Sequence, residues 1–237
     1  EAAAALVERG AAAAPATGRV LERLAASPEA GSFPLREDGV RRVRLHEASG
    51  TDGDPPRLTV LDQAVVVLRG DGSRVTRIHR LERAGTAAAA EDLGQLEVPA
   101  GAVVIAARVI RADGSVEWGG ARLGTGTIPL GGLRAGDYAD LEYAVARPPS
   151  EMFPGGATLD TFFFAAPGEW MERSEYVIVG PAGQAVAADE GPGTPVLERA
   201  EVEALTIRRW LARDVPSTPL EPWCPDAVDI MLIRRPG

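Results

Sequence analysis

Two pentapeptides built to one plan, Arg69-Gly70-Asp71-Gly72-Ser73 and Arg111-Ala112-Asp113-Gly114-Ser115, each close an apolar run and reverse the chain. Asp-Gly supplies the positive φ of a tight hairpin turn, because glycine has no Cβ to clash in the left-handed region. Before the first turn, Ala64-Val65-Val66-Val67-Leu68 is a continuous apolar stretch, the pattern of a strand covered on both faces. Ser73–Leu81 returns as its partner with imperfect alternation. Before the second turn, Ala102–Ile110 carries Val103, Ile105, Ala107 and Val109 on one face, and Val116–Trp118 follows. A chain punctuated in this way is committed to antiparallel β structure.

Further along, Tyr138–Ala146 alternates, with Ala139, Leu141, Tyr143 and Val145 expected inward and Asp140 and Glu142 outward. Phe162–Phe164 and Tyr176–Val179 read as short strands, separated by Pro167-Gly168, while Leu205–Leu211 fits strand or helix. Short strands at regular spacing with Gly and Pro turns argue for a sandwich or barrel. The expected fold is mainly β, an antiparallel β-sandwich over residues 57–237 with a short helical N-terminal extension. That extension, residues 1–26, consists of Glu1–Ala13 and Gly18–Ala26, rich in Ala, Leu, Glu and Arg. It reads either as the end of a helical-repeat array or as a helical cap. Residues 27–56, rich in Pro, Gly, Ser and Asp, read as a linker with one short strand around Val40–Leu45. The chain opens on Glu1 inside an alanine run and shows no charged-then-apolar leader, so a fragment or processed product is expected.

Charge excludes one class of partner. All 25 basic residues are Arg, and Lys and Asn are absent, which fits a GC-rich genome better than selection for guanidinium forks. With a net charge of −9 and no basic stripe, the counterion release that drives nucleic-acid binding is missing. No stretch is apolar enough for membrane insertion by a helix.

The residues that reactive chemistry needs do not come together in this sequence. The single cysteine, Cys224, lies in Pro222-Trp223-Cys224-Pro225, and no histidine follows it. A nucleophilic thiol needs a base, and His46 and His79 both precede it, so a packed thiol is favoured over a thiol hydrolase. Two histidines 33 positions apart form no metal-ligand pair, and His79 is expected as a hydrogen-bonded structural residue. Asp71 and Asp113 stand singly at their turns and lack the dense oxygen set that calcium requires. Paired carboxylates at Asp137, Asp140 and Glu142 read as a turn residue followed by a solvated strand face rather than a glycosidase pair. Walker-type phosphate binding is impossible without Lys. No catalytic, metal or cofactor-binding residues are assigned. Among Trp118, Trp170, Trp210 and Trp223, core packing is the commoner role. Trp170 with the adjacent Met171, together with Trp118, forms the expected interaction surface.

In order along the chain, several further features resemble a known bacterial family. They are Gly70-Asp71-Gly72-Ser73 with His79, then Val98-Pro99-Ala100-Gly101 leading to Ala106-Ala107-Arg108-Val109-Ile110 and Asp113-Gly114. Ile128-Pro129-Leu130 and Leu133-Arg134-Ala135-Gly136-Asp137 before Leu141-Glu142-Tyr143 follow, with Trp210, Val215-Pro216 and Pro219-Leu220-Glu221-Pro222 in the tail. The set resembles the domain of unknown function that stands immediately before transglutaminase-like domains. The resemblance implies a β-sandwich module of an exported, extracytoplasmic bacterial protein, without catalytic residues of its own. Its partner would be a neighbouring Cys-His-Asp domain or another protein. A carbohydrate-binding module is the alternative, with carbohydrate as ligand, and a thiol hydrolase using Cys224 is the second.

Overall fold

The structure, a computed structural model, describes residues 37–50, 55–119, 126–151, 154–166, 168–190, 193–202, 204–217 and 233–236. The helical extension expected over residues 1–26, and Trp223 and Cys224, lie outside the described residues. In chain order the elements are α1 (Gly39–Ser49), β1 (Arg57–Leu68), β2 (Arg74–Ala84), α2 (Ala87–Leu93), β3 (Gln95–Val98), β4 (Val103–Ile110), β5 (Val116–Trp118) and β6 (Gly126–Pro129). There follow β7 (Tyr138–Arg147), β8 (Phe162–Phe163), β9 (Trp170–Pro181), β10 (Ala188–Glu190), β11 (Leu197–Val202), β12 (Leu205–Val215) and β13 (Ile233–Pro236).

Both Asp-Gly turns form as expected. Ser73 and Ser115 donate their backbone N–H to the Asp71 and Asp113 carboxylates at 2.8 Å, and Gly72 and Gly114 adopt φ of 85° and 82°. Hydrogen bonds from the Ser73 and Ser115 side chains, and then these backbone bonds, hold both exposed Asp carboxyls below the usual carboxylate range. The first turn joins β1 to β2 and the second joins β4 to β5.

Eight strands form one sheet in the order β11-β12-β9-β1-β2-β7-β4-β5. The fold is mainly β and sandwich-like, with one departure from the antiparallel expectation. At the centre of the sheet, β1 and β9 run parallel, from Leu58 opposite Trp170 to Val67 opposite Val179. A parallel pair cannot be joined by a tight turn, and the long stretch between these strands supplies the crossover. Leu205–Leu211, ambiguous in sequence, is strand, because β12 pairs along β9 from Leu205 to Val215.

Register assigns the two faces. The inner face carries Ala64, Val66, Tyr176, Ile178 and Trp210, covered by Phe162 and Phe164, and farther along Ala107, Val109, Ala139 and Leu141, covered by α2, Leu96 and Ile128. Two small sheets, β10-β13-β8 and β3-β6, thus form the second layer over separate parts of one face. Tyr176 stacks between Phe162 and Trp210, with ring centroids 5.1 and 5.9 Å away.

Two bulges break the alternation that sequence periodicity assumes. In β4 the register slips between Val104 and Ala106, so Val103 does not share a face with Ala107 and Val109. In β1 it slips between Thr59 and Leu61, and a bulge turns consecutive residues to the same side. Val60 and Leu61 are accordingly both buried in one cluster with Val43, Leu81, Ile110 and Tyr138.

Val43 belongs to α1, which corrects the strand expected around Val40–Leu45. Asp38 caps the helix by accepting from the Arg41 N–H at 2.8 Å, and Gly50 closes it at φ 58°. The helix lies on the outer face beside β1, β4 and β7. His46, expected in a linker, is on this helix.

Candidate functional site

Opposite the two small sheets, the outer face carries a belt of buried ionic and polar side chains. Register aligns Gln63 with Glu175 on one side and His79 on the other, then His79 with Glu142. Glu175, fully buried, accepts from Gln63 Nε2 at 2.7 Å, from Arg173 Nη2 at 3.0 Å and from Arg209 Nε. Arg209 reaches on to Glu198 at 3.2 Å, and Arg77 donates to Gln63 Oε1 at 3.1 Å. Arg77 also lies 3.6 Å from Glu142.

Asp140 anchors the far end of the belt. It receives His79 Nε2 at 2.7 Å and Arg108 Nε at 2.6 Å, and its carboxyl has no solvent exposure. Burial opposes its charge, but the His79 hydrogen bond and the Arg108 guanidinium beside it hold it below the usual range. Asp140 and Glu142 were expected on a solvated face. Both are buried, at 0% and 4% exposure, because the alternate face of β7 is lined by cationic partners rather than by water. His79 is buried and hydrogen-bonded, as expected, and its Nδ1 has no hydrogen-bond partner among the described residues. Asp137 shapes its turn by accepting the Arg134 N–H at 2.8 Å.

A second cluster joins α1 to the sheet. Glu172 takes His46 Nδ1 at 2.6 Å and Arg42 Nη2, while its neighbour Arg173 reaches Glu37 at 2.6 Å. Tyr138 donates its hydroxyl to Glu47. Partners 126 and 130 positions apart leave no trace in local sequence pattern, which is why these residues escape a reading by motif.

The three residues expected to form an interaction surface separate. Met171 is buried to 2% exposure, and Trp170 is half-buried against the Leu58 and Val60 cluster. The reason is topological: they open the twelve-residue β9, flanked on both sides by β1 and β12, instead of standing in a loop after Pro167-Gly168. Trp210 is buried in the core. Trp118 alone of the three is exposed, at 54%, on edge strand β5, with the Arg108 guanidinium 5.3 Å from its ring centre. Exposed large apolar side chains gather at the two sheet edges: Val116 and Trp118 on β5, and Val196 and Leu197 at the start of β11. Leu45 on α1 is the other one among the described residues.

Together these features define a mainly β fold whose histidines are hydrogen-bonded to carboxylates in its interior and whose exposed large apolar side chains, Leu45 apart among the described residues, lie at the two sheet edges. No family model matches the chain, and no curated protein does. Among solved structures it is similar to a Parabacteroides distasonis crystal structure described as a "putative protease", at TM-score 0.65 and 14% identity. That match covers 76% of this chain and 40% of the other, so this chain spans well under half of that protein's length. An M1 zinc metallopeptidase from Deinococcus radiodurans is matched at TM-score 0.37 and 15% identity, over 66% of this chain and 38% of that one. The first likeness shows a shared fold; the second is too loose to carry an argument.

Proposed function

We propose that this chain is a non-catalytic β-sandwich module of a larger exported or envelope-associated bacterial protein, which docks a neighbouring transglutaminase-like domain or a partner protein. The observation that carries this reading is the placing of Val116 and Trp118 on edge strand β5, and of Val196 and Leu197 at the start of edge strand β11, with no further strand paired beyond either among the described residues. An edge strand has unpaired backbone donors and acceptors, and apolar side chains beside them make it a template for another chain. The burial of both histidines against carboxylates, His46 with Glu172 and His79 with Asp140, supports a structural role for them. Coverage of only 40% of the Parabacteroides structure agrees with a module that works within a longer polypeptide.

Amide hydrogen exchange, compared between this chain alone and the full-length native protein, tests the reading. Protection of Val116–Trp118 or of Leu197–Val202 in the full-length protein is expected. Equal exchange at both edges would overturn it. Reading the frame beyond Gly237 supplies the second arm, since a transglutaminase-like domain is expected there.

A further inference from the structure

A cavity of about 390 Å³ opens on the inner face at the β11 edge, lined by Val186, Ala188, Leu197, Arg199, Arg208 and Trp210. Apolar side chains share its walls with two guanidinium groups, and no carboxylate is among these lining residues. Arg199 and Arg208 stand directly opposite each other across the β11–β12 ladder, so both guanidinium groups are on one face. Like charges in directly opposed positions repel and destabilise a ladder unless an anion intervenes. Glu201 is bound by Arg199 at 2.7 and 3.1 Å and by the Thr206 hydroxyl at 2.8 Å. Arg208 is 7% exposed, gives one nitrogen to the Gln184 carbonyl at 2.7 Å, and has no hydrogen-bond partner for Nη1 among the described residues. Burial, and secondarily the Arg199 charge, push the Arg208 guanidinium below its ordinary range. A cation in this setting gains from any anion that can enter. The same cavity adjoins the free side of β11, where Val196 and Leu197 are exposed.

We infer that this cavity takes the carboxylate of an extended peptide laid along the free edge of β11, with Arg208 and Arg199 as the anion's donors. The inference rests on the docking reading and narrows it to one edge and one chemistry. In β-strand addition the backbone supplies affinity while pockets at alternate positions supply selectivity. Here Leu197 and Arg199, two residues apart on β11, share the cavity's face. A guanidinium accepts a carboxylate through two parallel hydrogen bonds, which suits a side-chain acid or a chain end equally.

The test uses three acetylated hexapeptides in calorimetry and hydrogen exchange against this chain. They are Gly-Ser-Val-Asp-Val-Ser as the C-terminal amide, the same peptide with Asn for Asp and a free C-terminal carboxylate, and the Asn amide without either charge. At least one acidic form is expected to bind tenfold or more tightly than the neutral one, and the tighter of the two identifies side-chain or terminal acid. The preference should collapse in Arg208→Gln. It should also weaken in Arg199→Gln, whose side chain is 57% exposed, so a failure of the first variant to fold leaves the second to decide. Equal binding of all three, with Leu197–Val202 protected, would overturn the carboxylate site and leave edge docking standing. An absence of binding by either acidic form at millimolar concentration would also overturn it.

Discussion

Gly39 lies so close to Asp140 that a Cβ built on it would stand 2.4 Å from a carboxylate oxygen. The first turn of α1 therefore rests directly on the buried anion at the end of the outer-face belt. A negative charge near a helix N-terminus is favourable, since the first N–H groups point outward unpaired.

Gly39→Ala should destabilise the protein by about 1–3 kcal/mol, because the methyl must displace a carboxylate held by two other partners. Gly70→Ala, at a position with open space around it, should be neutral within about 0.5 kcal/mol. Chemical denaturation of both variants checks the contrast; equal midpoints would contradict it.

Asp140→Asn removes the one charge that His79 and Arg108 share at hydrogen-bond distance. Leaving a buried cation uncompensated costs about 3–5 kcal/mol. Thermal melts should show the loss, and a variant as stable as the parent would mean that the belt contributes little.

Glu172→Gln should free α1 while leaving the sheet intact. Amides of Gly39–Ser49 should exchange at least about tenfold faster, corresponding to about 1.4 kcal/mol, with β1 and β2 unchanged. The same contact responds to acid. Burial opposes the Glu172 charge, but hydrogen bonds and charge from His46 and Arg42 lower its pKa below 4.5. A carboxyl lowered on folding stabilises above its unfolded pKa and loses that contribution as pH falls through its folded value. Helix exchange should therefore accelerate at pH below about 4.5.

Asp62 has the opposite sign. Burial, reinforced by Glu82 and Glu169 and opposed by Arg80, pushes its carboxyl up to about 6. Between the unfolded value near 3.8 and about 6 the folded state binds the extra proton, so stability falls as pH rises across that window. Asp62→Asn should be more stable than the parent above pH 6, by up to about 3 kcal/mol, and the difference should vanish below about pH 4. Denaturation at both pH values decides.

Much of the β architecture was legible because its determinants are local. The Asp71-Gly72 and Asp113-Gly114 turns announce their hairpins through the φ that glycine tolerates, and Val65–Leu68 announces a strand buried on both faces. What escaped was non-local. The bulge between Val104 and Ala106 shifts register without any marker in the apolar pattern. Asp140 and Glu142 looked solvated because alternation reveals one buried face and is silent about a second face lined with charge partners. α1 carried its own signals in Asp38 and Gly50, but the Pro- and Gly-rich surroundings masked them. Met171 failed as a surface residue for a related reason: β9 acquires neighbours on both sides only through the parallel crossover. Trp118 is exposed because β5 is an edge.

The order of the eight strands also sets a length. Seven steps of roughly 4.8 Å separate β5 from β11, about 34 Å measured across the ladder. Whatever grips one margin is thus held far beyond direct touch of anything gripping the other, and the sheet acts as a spacer bar with two independent handles.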